Sequence, residues 1–131
     1  MKTKHCKIWT DGSTSKSNPG PMGIGVVIKE KEKVILTINK DLRYGTNNMA
    51  EFLAVLYALR AIKKREYNSF ELRADSKLVI MGLKEEWKIR HENIVPIYKE
   101  IKRELKGMKS FFIWVPREEN THADELSKVA K

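Results

Sequence analysis

The stretch IWTDGSTSKSNPGPMGIGVVIKE, residues 8–30, places an acidic residue where an apolar run meets a polar loop. The first run is rich in strand-forming residues and ends at Asp11, directly before the turn-forming Gly12. A second run of β-branched residues starts at Gly23, so the stretch predicts two strands joined by a loop. We expect Asp11 at the end of the first strand, where an acidic side chain serves either the turn or a chemical reaction.

Beyond this stretch, apolar periodicity and turn-forming residues predict further elements. The predicted strands cover residues 5–11, 23–30, 33–40, 69–74 and 110–115. The predicted helices cover residues 47–64, 76–84, 92–106 and 121–130.

The order of these elements, βββαβααβα, predicts the topology of the sheet. Strands one to three follow each other through short connections and form an antiparallel meander. The long helix then returns the chain, and right-handed crossovers place strands four and five parallel to strand one. We therefore predict an α/β fold with a five-stranded mixed sheet flanked by helices. The strands that run with the first all end at one edge, where open α/β sheets bind their ligands.

Length and composition predict one folded domain over residues 1–131, with 41% hydrophobic and 33% charged residues. Cys6 is the only cysteine, which excludes an internal disulfide and predicts a packed thiol. No apolar stretch approaches the length of about 18 residues that a membrane span needs, and no signal peptide is recognisable. We expect a cytoplasmic monomer without a membrane partner.

The formal net charge of +9 favours a polyanionic partner, with nucleic acid as the leading candidate. A lysine-rich solubilising surface, common in heat-stable proteins, explains the same charge. Composition alone leaves both explanations open.

Four acidic residues fall at the predicted ligand edge of the sheet, each on a different element: Asp11, Glu51, Asp75 and Asp124. Each has a structural explanation when taken alone. Asp11 would start a turn, Asp75 would be the N-cap of the following helix, and Glu51 and Asp124 would complete capping boxes.

Caps do not explain why four acids from separate elements of a basic protein meet on one edge. Like charges at short range repel by several kcal/mol at an intermediate dielectric constant, so a cation must offset them. Mg²⁺ fits a group of carboxylates that lacks cysteine or histidine ligands, and helix N-termini would keep Glu51 and Asp124 ionised. Metal held by carboxylates in a positively charged protein indicates phosphodiester chemistry.

Four segments carry a resemblance to a known family: WTDGST with NPGP shortly after it, GTNNMAEFLAVLYAL, LRADSKLVIMGL and WVPREENTHADELSKVA. In these segments and in their order the chain resembles ribonuclease H type 1, in a compact form without a separate hybrid-binding domain. The resemblance covers nearly the whole chain and implies a ribonuclease H-like fold with the sheet predicted above. It also implies hydrolysis of the RNA strand of an RNA–DNA hybrid, leaving 5′-phosphate and 3′-hydroxyl ends.

The resemblance implies a catalytic and metal-binding role for each acid. Asp11 would bridge two Mg²⁺ ions, for which Mn²⁺ is a substitute. Asp124 would help to hold the ion that activates water, and Glu51 with Asp75 would help to hold the ion on the leaving-group side.

The resemblance also implies substrate contacts for Gly12, Ser13, Asn18, Asn47 and Asn48. The glycine and serine would bring the backbone close to the RNA, and the asparagines would contact the minor groove. Without the resemblance, Asn18 would form an Asx turn, and Asn47 or Asn48 would cap a helix.

Two further substrate-binding residues stand where the chain departs from better-known bacterial members of the family. Lys77 replaces a glutamine that follows the aspartate–serine pair, which indicates a more electrostatic and less selective contact. Arg117 and Glu118 lie in a short loop that lacks the mobile histidine of relatives, and we assign one of them, Arg117 first, to phosphate binding or product release. His122 is interpreted as an exposed helix residue, and Trp9 and Trp114 as core residues.

Three other functions compete with hybrid hydrolysis. A broader nuclease would cleave double-stranded RNA as well, which the lysine and the high charge favour. A non-catalytic nucleic-acid-binding module on the same fold would lack some of the acids, and none is missing. A purely structural lysine-rich protein leaves the acidic edge unexplained.

Overall fold

A computed structural model describes residues 2–128 of the chain. Its strands are β1 His5–Thr14, β2 Gly20–Glu30, β3 Lys33–Gly45, β4 Ser69–Ala74 and β5 Lys109–Trp114. Its α-helices are α1 Asn47–Lys64, α2 Lys77–Leu83, α3 Val95–Leu105 and α4 Thr121–Ser127. The predicted order of strands and helices is confirmed, and a short 3-10 turn at Arg117–Glu119 is added to it. Residues 129–130 of the predicted last helix lie outside the described residues.

The five strands form one mixed sheet in the order β3-β2-β1-β4-β5. Strand β2 pairs antiparallel with both β1 and β3, whereas β4 pairs parallel with both β1 and β5. The predicted meander and the predicted parallel strands are therefore confirmed.

The first strand is longer than predicted, and the expectation that it ends at Asp11 is wrong. Antiparallel pairing with β2 continues to Thr14, which lies opposite Met22. Parallel pairing with β4 stops earlier, at the pair Trp9 and Arg73. Asp11 therefore lies inside the strand, on a part of β1 that is paired on the β2 side and open on the β4 side. This is the crevice beyond the carboxyl ends of parallel strands where α/β sheets bind ligands.

Helix α1 covers the residues that the sequence predicts, because its N-cap and its apolar face both indicate the same helix. The Thr46 side chain accepts a hydrogen bond from the Met49 amide at 3.1 Å, and basic residues occupy the last turn. Fully buried side chains such as Phe52 and Leu59 join the hydrophobic core between the helices and the sheet. Each such side chain stabilises the fold by about 1.5–3 kcal/mol.

Two glycines allow α1 and α4 to approach opposite faces of the sheet. A Cβ atom at Gly12 would lie less than 3.0 Å from the backbone of α1 at Ala50 and Glu51. A Cβ atom at Gly25 would likewise meet the backbone of α4, at Ala123. Gly25 pairs with Asp11, the neighbour of Gly12, and successive strand residues point to opposite faces. The two helices that carry Glu51 and Asp124 therefore meet β1 and β2 at the register of Asp11.

The predicted packed thiol is confirmed. Cys6 is buried on β1, and burial raises the pKa of its thiol to about 12. Within residues 2–128, the helices are too short or too polar for any of them to cross a membrane.

Candidate active site

One cavity of about 560 Å³ is lined by all four predicted acids. Asp11 comes from β1, Glu51 from α1, Asp75 from the residue after β4, and Asp124 from α4. The remaining lining residues are Gly12, Ser13, Thr14, Asn47, Trp114, Arg117 and Lys128. The carboxylates are thus brought together from four separate elements, while their chemical roles remain a prediction.

Three of the acids form the inner group of the cavity. Carboxylate oxygens of Asp11, Glu51 and Asp75 all lie within 4.8 Å of one another, and Asp11 is only 5% exposed. Asp124 lies beside this group and faces two cations. Its Oδ1 is 3.8 Å from the Arg117 guanidinium and 3.5 Å from the Lys128 ammonium.

The cap and turn explanations for the acids are wrong. Asp11 lies inside a strand, and the cap of α1 is a threonine. Ser76 rather than Asp75 caps α2, and its hydroxyl accepts from the Val79 amide at 3.2 Å. Asn120 precedes α4 and makes no side-chain cap there, so the proposed box ending at Asp124 does not form. The four acids therefore do not serve as the helix caps or turn residues that local structure would require.

Glu51 makes a contact that no cap pattern predicts. It is the fifth residue of α1, beyond the first turn, and its carboxylate accepts the backbone N–H of Gly12 at 3.0 Å. This hydrogen bond joins α1 to the open end of β1 and orients the carboxylate toward Asp11.

Burial and crowding raise the pKa values of the three inner acids. Burial raises the pKa of Asp11 to about 7, and a hydrogen bond with Asp124 and the charge of Asp75 add to the effect. Burial and the charge of Asp11 raise the pKa of Glu51 well above its usual range. Burial also raises the pKa of Asp75, although Arg117 opposes the shift. Burial and the charge of Asp11 thus oppose ionisation of Glu51, against the effect expected of the helix N-terminus.

The inner group fits a hard divalent cation. All its donors are carboxylate oxygens, and among residues 2–128 the cavity lining contains neither thiol nor imidazole. Mg²⁺ prefers such oxygen donors, and the positive charge of a cation would favour the ionised carboxylates and so oppose the rise in pKa that burial and crowding cause. The donor set therefore matches the ion that the sequence predicts.

The residues predicted to contact substrate occupy different places around this cavity. Gly12 packs its backbone against α1, and the Ser13 hydroxyl donates to the Ser127 carbonyl of α4 at 2.7 Å. Both residues line the cavity, but each also has a structural role at a helix contact. Lys77 lies exposed at the start of α2, next to Asp75, and Arg117 lies exposed in the 3-10 turn.

The three asparagines lie near the N-terminus of α1. The backbone N–H of Asn47 donates to Asn18 Oδ1 at 3.0 Å, which ties the β1–β2 loop to the helix. Asn47 Oδ1 accepts from both the amide and the hydroxyl of Thr14, each at 3.0 Å. Asn48 is exposed in the first turn. The alternative that Asn47 or Asn48 caps the helix is wrong, because Thr46 does so.

Sequence reasoning missed Asn120, a buried residue beside the cavity. Its Nδ2 donates to the Thr10 carbonyl at 2.8 Å, and a hydrogen bond from its amide opposes the rise of the Asp75 pKa. Asparagine directly before a helix is typical of an N-cap, so the pattern indicated a different role.

The interpretation of Trp114 as a core residue is wrong. Trp114 is 43% exposed and belongs to the cavity wall, because β5 ends there at the edge of the sheet. Trp9 is half-buried, and His122 is exposed as predicted.

Comparisons with known proteins agree on one family. A family model described as reverse transcriptase-like matches residues 9–130. A Ribonuclease HI of Vibrio parahaemolyticus is 33% identical over 143 residues, covering 98% of this chain and 90% of that protein. A bifunctional protein of Mycobacterium tuberculosis is 30% identical over 126 residues, which are 94% of this chain. This chain spans 34% of the length of that mycobacterial relative.

Solved structures show the same similarity in three dimensions. LC11-RNase H1, isolated from compost, has been solved in complex with an RNA/DNA hybrid. It matches this fold with a TM-score of 0.87 and 29% sequence identity, covering 93% of each chain. Family model, sequence relatives and structure together establish that this chain belongs to the ribonuclease H family.

Proposed function

We propose that the protein is a metal-dependent endoribonuclease that hydrolyses the RNA strand of RNA–DNA hybrids, with residues 1–131 as the catalytic domain. The observation that carries this proposal is the crowding of three carboxylates within 4.8 Å of one another in a chain of net charge +9. The family relatives support it, since one is named Ribonuclease HI and a similar structure is a complex with an RNA/DNA hybrid.

The four acids would hold two divalent ions, Mg²⁺ or Mn²⁺, with Asp11 shared between them. Ions held there would supply an activated water and would stabilise the charge on the attacking and leaving oxygens. The products of hydrolysis are a 5′-phosphate and a 3′-hydroxyl end. Asp11 is central because it contacts both Asp124 on one side and Glu51 on the other.

The chain itself would bind the substrate around this centre. Asn47 Oδ1 is engaged by Thr14, so its Nδ2 is the group left to donate to a base or sugar oxygen in the minor groove. Asn18 and Asn48 are also exposed, and Asn18 contacts Asn47 directly. Gly12 and Ser13 supply backbone close to Asp11.

Two cations near the acids would bind phosphate. Arg117 is 73% exposed and reaches toward Asp124, so its guanidinium is available to a phosphate or to a departing product. Lys77 adds a point charge next to Asp75. A point charge does not distinguish strands, and this favours a second candidate, a nuclease that also cleaves double-stranded RNA.

A cleavage assay with three labelled substrates tests the proposal: an RNA–DNA hybrid, double-stranded RNA and double-stranded DNA. We expect cleavage of the RNA strand of the hybrid with Mg²⁺ and none with EDTA. Cleavage of double-stranded RNA at a similar rate would favour the broader nuclease. Absence of metal-dependent hybrid cleavage would refute the proposal.

Asp11→Asn in the same assay should lower the cleavage rate by roughly 10³-fold or more, because the shared metal ligand is lost. Asp41→Asn is the matched control, since Asp41 lies exposed on β3 outside the cavity and the substitution removes the same charge. Wild-type cleavage by Asp11→Asn would show that the metal assignment is wrong.

A further inference from the structure

Trp114 exposes a large apolar ring on the wall of the acidic cavity. The side chain is 43% exposed, although indole rings are mostly buried in folded proteins. Its Nε1–H donates to the backbone carbonyl of Asp75 at 3.1 Å. The polar atom of the ring is thus satisfied within the protein, and the orientation of the ring is fixed.

Lys77 lies over the same ring. Its Nζ is 5.1 Å from the centroid of the Trp114 indole, within the range of a cation–π contact. The pair is a consequence of the sheet, because Trp114 pairs with Ala74 and Lys77 follows Ala74 by three residues. The Lys77 ammonium group therefore lies near the cavity wall that Trp114 forms, although the residue is exposed.

The Trp114 ring and the Lys77 ammonium group complement two neighbouring parts of a nucleic-acid backbone. The apolar ring suits the face of a sugar, and the ammonium group suits the phosphate next to it. Aromatic side chains pack on nucleotides, and lysines neutralise the phosphates between them. In a duplex the bases are paired and stacked, so a ring on the cavity wall reaches the sugars and not the faces of the bases.

We infer that Trp114 and Lys77 form one contact for the sugar–phosphate backbone of the nucleic acid next to the cleaved position. Trp114 packs against a sugar, and Lys77 binds the adjoining phosphate. This inference rests on the proposed function. It adds Trp114 as a residue that binds the substrate without reading its base sequence.

A merely structural role would give a different result. If the ring only fixed the Asp75 backbone, its N–H group would be the part that matters, and Trp114→Phe would be as harmful as Trp114→Leu. If the ring contacts substrate, Trp114→Phe keeps most of the contact and Trp114→Leu does not.

The same strand offers a matched control. Phe111 is 46% exposed, and Lys109 Nζ lies 5.8 Å from the centroid of its ring. This pair also joins an exposed ring to a lysine, but Phe111 lines a different cavity, with Leu83 and Lys84. Phe111→Leu and Lys109→Gln therefore repeat the chemical changes away from the acids.

The experiment measures the Kd of a labelled RNA–DNA hybrid in the Asp11→Asn background with Mg²⁺, and kcat and KM in the active protein. We expect Trp114→Leu to weaken binding roughly tenfold and to act on KM more than on kcat, with Trp114→Phe within about threefold of the parent. Lys77→Gln should lower the slope of log Kd against log salt by about one. The two control variants should bind like the parent, and thermal unfolding checks that every variant is folded.

Each remaining outcome contradicts the inference. Equal binding by the parent and Trp114→Leu overturns it, as does an equal loss in Phe111→Leu or in Trp114→Phe. If the slope of log Kd against log salt is unchanged in Lys77→Gln, Lys77 does not contact a phosphate. These failures leave hybrid cleavage by the wild-type protein intact, whereas a parent that neither binds nor cleaves the hybrid refutes the proposed function together with the inference.

Discussion

Asp11 is the residue at which fold and chemistry meet. Its side chain is 5% exposed on a strand, next to three other carboxyl groups, and an isolated charge there is costly. Burial, and after it the neighbouring carboxyl groups, raise the pKa of Asp11 to about 7, so the protein without metal holds a proton there below that pH. A divalent ion that displaced this proton would offset the cost of burying the charge, and the acids would become its binding site.

The same feature makes the stability of the metal-free protein depend on pH in a defined direction. The folded pKa of Asp11 is about 7 and the unfolded value is 3.8, so between these values the folded protein holds a proton that the unfolded chain lacks. Stability is therefore greatest below the unfolded pKa and falls as pH rises through the folded pKa. Asp11→Asn should therefore raise the free energy of unfolding more at pH 8 than at pH 5, with a difference of about 2–3 kcal/mol between the two pH values.

Urea unfolding in EDTA at the two pH values measures this difference. Equal or lower stability of Asp11→Asn at pH 8 would show that Asp11 is not strained by ionisation.

At the scale of elements, the site depends on how closely two helices approach the sheet. Gly12 admits α1 and Gly25 admits α4, and these helices bring Glu51 and Asp124 to Asp11. The sequence shows these glycines only as members of loop and strand patterns. Their role is visible once the register of β1 and β2 is known, because that register places Gly25 opposite Asp11.

Gly25→Ala should displace α4, because the added methyl group meets the backbone of Ala123 and cannot be accommodated by a side-chain rotation. We expect a loss of stability of about 1–3 kcal/mol and a fall in kcat of roughly tenfold as Asp124 moves. Gly107→Ala is the control. The φ of +79° at Gly107 would strain an alanine backbone by about 1–2 kcal/mol. The added Cβ atom would have no heavy atom within 4 Å, and Gly107 does not line the cavity.

Urea unfolding and steady-state cleavage of both variants distinguish the effect of a displaced α4 from the effect of lower folding stability. Gly107→Ala should lose stability and keep its kcat. A wild-type kcat in Gly25→Ala would show that the position of α4 does not matter to the reaction.

Elements with strong local signals were predictable to the residue. Helix α1 and strand β4 match residues 47–64 and 69–74, because a cap, a basic last turn or a β-rich run marks their ends. The end of β1 was not predictable from local residues, since a partner strand 8 residues or more away holds it to Thr14. Likewise the exposure of Trp114 depends on β5 lying at the edge of the sheet, which no local pattern encodes.

The molecule as a whole combines a positive net charge with a cavity of negative charge. The chain carries a net charge of +9, which attracts a polyanion from a distance. The cavity concentrates four carboxylates that would repel the same polyanion. A metal-loaded cavity removes this conflict, because divalent ions reverse the local sign of the charge. The four acids could be predicted from the sequence because topology alone brings their elements to one edge.

Calorimetric titration of the protein with Mg²⁺ at pH 7, repeated with Mn²⁺ and in two buffers of different ionisation enthalpy, tests the central claim most directly. We predict that metal binding releases protons, because Asp11, with a pKa of about 7, is partly protonated at pH 7 and gives up its proton when the ion enters. Asp11→Asn should bind the metal more weakly and release fewer protons. No detectable binding of either ion, or binding that Asp11→Asn leaves unchanged, would contradict the account.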